Sequence, residues 1–114
     1  MVVNLMNKTG KENVMIKHIV MWQMKENALG KSGQENARVM QAMLSELPQK
    51  IDLARKLEVS CNIFEATPAC DILLYAEFAS KEDLHAYAVH PEHLRCVDFI
   101  KQVVAGRSVV DYEV

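Results

Sequence analysis

From Met15 the chain becomes two-periodic. Ile16, His18, Val20, Trp22 and Met24 alternate with Lys17, Ile19, Met21 and Gln23, which is the pattern of an extended strand. Both sets contain large apolar groups, so both faces of this strand are expected to be covered. The period then lengthens. Ser32 followed by Glu35 is a capping box, in which each side chain satisfies a backbone N–H at a helix start. Ala37, Met40, Met43, Leu44 and Leu47 recur behind it at helical spacing until Pro48 stops the pattern, predicting an amphipathic helix of about four turns.

Two further alternating segments follow, Leu57, Val59, Cys61 and Ile63, then Ile72, Leu74, Ala76 and Phe78, joined by EATPACD. The Pro and polar turn formers of that link predict an antiparallel hairpin. Ser80 opens a second helix, with Glu82 and Asp83 in the first turn, where the helix dipole favours anions, and Leu84, Tyr87 and Ala88 facing inward. His90-Pro91 interrupts it, because proline disfavours a helical residue before itself and suits the first turn of a new helix. Leu94, Val97, Ile100, Val103 and Val104 carry that third helix to Gly106. Val110, Tyr112 and Val114, alternating with Val109, Asp111 and Glu113, form the last strand.

The order strand, helix, strand, strand, helix, strand predicts an α+β fold of ferredoxin-like type, βαββαβ, with a four-stranded antiparallel sheet and its helices on one face. The other face then presents Val, Ile, Leu and Met from several strands, a larger apolar patch than monomers leave in water. A homodimer joined sheet to sheet is therefore expected. Residues 15–114 form the domain, and residues 1–14 an N-terminal extension.

The 114 residues suit one domain, and 50% of them are apolar, enough for a core. Lys plus Arg number 13 against 15 Asp plus Glu. With no basic block, nucleic acid is not an expected partner. The apolar runs are about five residues long, far below the roughly 20 that span a bilayer, so no membrane partner is expected either. The start of the chain lacks the apolar core of a secretory signal, and the expected location is the cytoplasm. Cys61, Cys70 and Cys96 form no CxxC pair and no even set, which fits reduced, packed thiols. The seven Met residues all lie at or before position 43; Met40 and Met43 follow the helix stripe and read as core filling. There is no Gly-rich phosphate loop, nucleophile elbow or dinucleotide fingerprint, and no cofactor is expected, although a flavin or haem can enter a barrel without such a loop.

Four histidines carry the candidate chemistry. His exchanges protons near neutral pH, and a Tyr hydroxyl can donate to a developing oxyanion. Tyr87 follows Leu84 by one helical turn and belongs to the inward stripe, whereas His85 falls beside polar neighbours and faces water. His90 can share the face of Tyr87, and His93 sits in the first turn after Pro91. His18 and Trp22 share one side of the first strand. The candidate acid–base pair is therefore His93 and Tyr87, with His18, His90 and Trp22 as candidate ligand contacts. A Tyr on a helix stripe can equally be core, a His before Pro can be a cap, and Trp22 can be core. No metal is expected, since His-x-x-His across a proline lacks a third ligand and Glu92 is expected to face solvent.

MIKHIVMWQMK, LEVSCN, DILLYAEFASKEDLHAYAVHPEH and the final DYEV resemble the stress-responsive A/B barrel, or Dabb, family over about residues 15–114. The most specific segment is Tyr87-Ala88-Val89-His90-Pro91-Glu92-His93, joined to His18 and Asp71. The family's usual Gly in the second main strand is Ser60 here. The resemblance implies a dimeric α+β barrel. One branch, the plant polyketide cyclases that form olivetolic acid, is similar through Tyr-x-x-His-Pro-x-His, which implies an acid–base Tyr and His at Tyr87 and His93 and a strand His at His18. A shared motif is not a shared substrate. Two functions follow as expectations: a module binding a small apolar or aromatic molecule between helices and sheet, or a cofactor-free enzyme of aldol-cyclase or isomerase type. A related-barrel monooxygenase fits less well, because its Asn and Trp constellation is not found.

Overall fold

The computed structural model describes residues 14–114. The extension expected over residues 1–14 lies outside the described residues except for Val14, which packs on the core. In chain order the elements are β1 (Ile16–Met24), β2 (Asn27–Ala28), β3 (Lys31–Ser32), α1 (Gly33–Ser45), α2 (Leu47–Lys50), β4 (Ala54–Cys61), β5 (Ile72–Phe78), α3 (Lys81–Ala88), α4 (Pro91–Val103) and β6 (Val104–Glu113). The main sheet runs β4-β5-β1-β6 with every neighbour antiparallel. This is the ferredoxin-like arrangement that the alternation of periods predicts.

The inner sheet face carries Ile16, Val20, Trp22 and Met24 from β1 and Ile72, Leu74, Ala76 and Phe78 from β5, all buried against Met40, Leu44, Tyr87, Cys96, Ile100 and Val103 of the helices. Each large side chain removed from water there contributes about 1.5–3 kcal/mol. The helix starts are set as the sequence implies. Ser32 Oγ accepts the Glu35 N–H at 3.1 Å while Glu35 Oε1 accepts the Ser32 N–H at 3.0 Å. At α3, Ser80 Oγ accepts the Asp83 N–H at 3.1 Å.

Several boundaries differ from the sequence reading. The third helix ends at Val103 rather than Gly106, because Val104 already pairs with Met24 of β1 and the Val103 carbonyl accepts the Lys25 N–H at 2.8 Å. Leu94, placed on the helix stripe, is exposed. Ile63 is not in a strand: β4 ends at Cys61, and Asn62 turns the chain by donating to the Cys70 carbonyl (2.8 Å) and accepting from the Phe64 N–H (3.0 Å). Pro48 stops α1 and also opens the one-turn α2. The small β2–β3 hairpin has no counterpart in the sequence reading. Its turn residues Leu29 and Gly30 have φ of 53° and 75°, a geometry whose usual signal is Asn-Gly rather than Leu-Gly.

One irregularity shapes the site. Between Gln23 and Met24 the β1–β6 register shifts: Met24 faces Val104 and Gln23 faces Gly106, so Ala105 is an extra residue. A bulge of this kind reverses side-chain parity along the bulged strand. Val104 and Arg107, three residues apart, therefore lie on the same inner face, as do Val109 and Asp111 opposite Val20 and His18. No helix among the described residues is long and apolar enough to cross a membrane.

Candidate functional site

Helix α4 packs against α1 more than on the sheet, and beneath it lies a cavity of about 220 Å³. Its floor is His18, Val20 and Trp22 of β1 with Leu74 of β5. Its roof is Leu84, Tyr87 and Ala88 of α3 with His93, Val97, Ile100 and Lys101 of α4. Leu44 closes one end, and Val104 and Arg107 of β6 form the rim. Four sequence-selected residues, His18, Trp22, Tyr87 and His93, thus meet at one cavity although up to 75 positions separate them (93 minus 18).

Tyr87 and Trp22 are 2% and 5% exposed, and neither the Tyr87 hydroxyl nor the Trp22 Nε1–H has a hydrogen-bond partner among the described residues. Buried polar groups are normally paired, because leaving one unpaired costs about 1–3 kcal/mol. Both residues line the cavity, Trp22 in its floor and Tyr87 in its roof, and each keeps an unpaired polar atom. Burial, with a smaller contribution from Cys96, pushes the Tyr87 phenol well above its ordinary range. It remains a neutral donor at any physiological pH.

The histidines divide by tautomer. His93 Nδ1 lies 3.0 Å from the Ala88 carbonyl, which can only accept, so Nδ1 carries the proton and the neutral ring keeps its lone pair on Nε2. His18 Nδ1 donates in the same way to Asp111 Oδ1 at 2.5 Å. Burial lowers the His93 pKa, opposed by the Ala88 hydrogen bond and reinforced by the charges of His18, Arg107 and His90. Neutral His93 is therefore favoured, with Nε2 available as a base. His90 is different: its Nδ1 accepts the Glu92 N–H at 3.1 Å and caps α4. His90 does not line the cavity. Its position before Pro91 commits the ring to the helix start, the capping alternative visible in the sequence.

Aromatic contacts connect the group. His18 meets Phe78 edge-on at 6.3 Å between centroids, Phe78 meets Tyr87 at 5.2 Å, and Tyr87 meets His93 at 4.7 Å. Asp71, part of the motif, lies away from the cavity. Its Oδ2 accepts the Met24 N–H at 2.7 Å and its N–H donates to the Trp22 carbonyl at 2.8 Å, tying β5 to the end of β1. Glu92 does not simply face solvent: it reaches Lys50 at 3.7 Å and Arg95 at 3.5 Å. His85 is exposed. Among the described residues no three His, Cys, Asp or Glu side chains converge as metal ligands, and all three cysteines are free thiols. Arg107 and Lys101 were missed by sequence reasoning. The bulge that brings Arg107 inward leaves no sequence mark beyond Gly106, whereas Lys101 sits one position after Ile100 and could have been placed near the stripe.

The match to the stress responsive A/B barrel domain, Dabb, runs over residues 16–114; the chain belongs to this family of α+β, ferredoxin-like domains. Among curated proteins it is 27% identical over 103 residues to the stress-response A/B barrel domain-containing protein DABB1 of Arabidopsis thaliana, covering 86% of this chain and 46% of that protein. It is 30% identical over 98 residues to a second stress-response A/B barrel domain-containing protein of Arabidopsis thaliana, covering 82% of this chain and 34% of that protein. The chain thus spans less than half the length of these relatives. Among solved structures, a dimeric protein of ferredoxin-like fold from Bacteroides fragilis superposes with a TM-score of 0.77 at 31% identity, covering 88% of this chain and 96% of that one.

Proposed function

We propose that this domain binds a small apolar or aromatic molecule in the cavity between α3, α4 and the sheet, with Trp22, Tyr87, His18 and His93 as its polar contacts. The observation that carries this reading is a largely apolar cavity of about 220 Å³ at which His18, Trp22, Tyr87 and His93 meet, with Trp22 Nε1 and Tyr87 Oη buried beside it without a partner among the described residues. Sites for small organic molecules have this character, a largely apolar enclosure with a few placed polar groups. Trp22 is the only tryptophan of the chain, so its emission reports directly on the cavity. Titration with a panel of phenols, aromatic ketones and aromatic acids should give saturable emission changes, abolished by filling the cavity with Val97→Phe in a variant whose circular dichroism is unchanged. No saturable change with any compound, or binding unaffected by Val97→Phe, would reject the reading.

A second reading has its own support in the His93 tautomer. With Nδ1 fixed on Ala88, Nε2 can take a proton from a bound carbon acid while the Tyr87 hydroxyl stabilises the oxygen anion, as in a cofactor-free aldol cyclase or isomerase. Each role is worth about 10²–10³ in rate or more. Turnover unchanged in Tyr87→Phe and His93→Ala would exclude it.

We also propose a homodimer through the outer sheet face, where Ile19, Met21, Leu73, Tyr75, Val110 and Tyr112 are neighbours in register. Its support is the apolar character of that face and the dimeric Bacteroides fragilis neighbour. Three free thiols fit a reducing compartment such as the cytoplasm.

A further inference from the structure

The groups around the cavity are unbalanced in two respects. No Asp or Glu lines it, whereas Arg107 and Lys101 do. Two of its lining residues carry unpaired donors: the Trp22 indole can only donate, and the Tyr87 hydroxyl has a proton to give and nothing among the described residues to receive it. A cationic molecule would meet two like charges and no carboxylate in the lining.

The two cations are not equivalent. Lys101 Nζ lies 3.3 Å from Asp98 on its own helix, whereas Arg107 makes no ion pair among the described residues. The nearest carboxylate on its own strand face, Asp111, is four residues away, about 13 Å at 3.3 Å per residue, and is held by His18. Arg107 owes its place to the bulge, since a regular strand with Val104 inward would turn it to the opposite face. At this exposed end of the cavity its guanidinium is a free, planar, five-donor fork, suited to two oxygens of one oxyanion.

Resting on the ligand-binding reading above, we propose that the cavity takes an anion: a small apolar or aromatic body inserted beside Trp22 and Tyr87, ending in a carboxylate or similarly compact oxyanion held at the rim by Arg107. Arg107 is thereby the residue that sets the charge preference of the site.

A matched pair of probes tests this, 3-phenylpropanoate and 3-phenylpropanamide, which differ in charge and scarcely in shape. Binding is measured by calorimetry and Trp22 emission on the full chain. The acid is expected to bind about tenfold tighter than the amide, the difference a charge-assisted hydrogen bond supports. Arg107→Gln should bring the two within about twofold, Arg107→Lys should restore part of the gap, and Arg95→Gln on the outside of α4 should leave it intact. Equal binding of acid and amide, or a preference for the acid that survives Arg107→Gln, would overturn the anion assignment while leaving the cavity reading standing. Binding of neither probe by a folded protein would overturn both.

Discussion

Tyr87 and His93 lie with ring centroids 4.7 Å apart and planes inclined at 49°, yet the Tyr87 hydroxyl bonds to neither nitrogen of that imidazole. The two rings meet in a tilted contact. His93 Nδ1 goes to the Ala88 carbonyl instead, so the pair is not a preformed proton relay. Each side chain keeps one polar atom for something else, the phenol its O–H and the imidazole its Nε2.

Tyr87→Phe separates a structural tyrosine from a binding one. Because the hydroxyl is buried without a partner among the described residues, its removal should leave unfolding free energy unchanged or raise it by up to about 1 kcal/mol. Ligand affinity should fall in the same variant. Urea denaturation beside a binding titration checks both. A loss of more than about 1 kcal/mol would mean that the hydroxyl has a structural partner in solution.

The His93 imidazole gives the fold a pH dependence of definite sign. Burial lowers its pKa in the native state below the ordinary value near 6.5 of an unfolded chain. The unfolded state therefore binds the proton first as pH falls. The stability associated with neutral His93 is complete above about pH 6.5 and is lost progressively as pH drops through its native pKa. His93→Asn, which keeps a donor for the Ala88 carbonyl, should flatten the fall in denaturation midpoint between about pH 7 and 5. An unaltered slope would show that His93 is not the group responsible.

His18 and Asp111 face each other across β1 and β6, with Nδ1 and Oδ1 at 2.5 Å and the carboxylate 43% exposed. Solvent screens a pair of this kind, so a double-mutant cycle with His18→Gln and Asp111→Ala should give a coupling of about 0.2–1 kcal/mol. The bond fixes the His18 tautomer with its proton on Nδ1. Zero coupling would place His18 outside any ordered arrangement at the site.

The fold was legible because its determinants are local. Alternation in β1 and β5, the Ser32–Glu35 box, Ser80 and Pro91 each act within a few residues. The convergence of His18, Trp22, Tyr87 and His93 could be anticipated because strand parity and helix spacing fix which side each residue takes. His90 shows the limit. Its helical spacing from Tyr87 allowed a shared face, but the proline after it breaks the helix and turns the ring to capping. Arg107 was hidden for a different reason: its facing depends on a bulge against β1, a pairing decided between strands far apart in sequence. The Leu29-Gly30 turn escaped because a leucine at positive φ is tolerated only when the surrounding structure holds it there.

The outer sheet face makes the last prediction. On it Ile19 of β1 lies between Tyr75 of β5 and Val110 of β6, and Met21 between Leu73 and Ser108. The helices cover only the opposite face, so Ile19, Leu73 and Tyr75 are only half-buried, by their neighbours in the sheet. Val110 and Tyr112 remain exposed in the isolated chain. In a dimer packed sheet to sheet, Ile19 at the middle of β1 would be among the most deeply covered, and a carboxylate there would be buried without a counter-charge, at a cost of several kcal/mol. Ile19→Glu should therefore shift sedimentation from a dimer to the 12.9 kDa chain at micromolar concentration. Circular dichroism should retain the α+β signature, because the substitution leaves the inner core of Val20, Leu74 and Phe78 untouched. A wild-type protein that already sediments as a monomer, or an Ile19→Glu variant that stays dimeric, would remove this face as the interface.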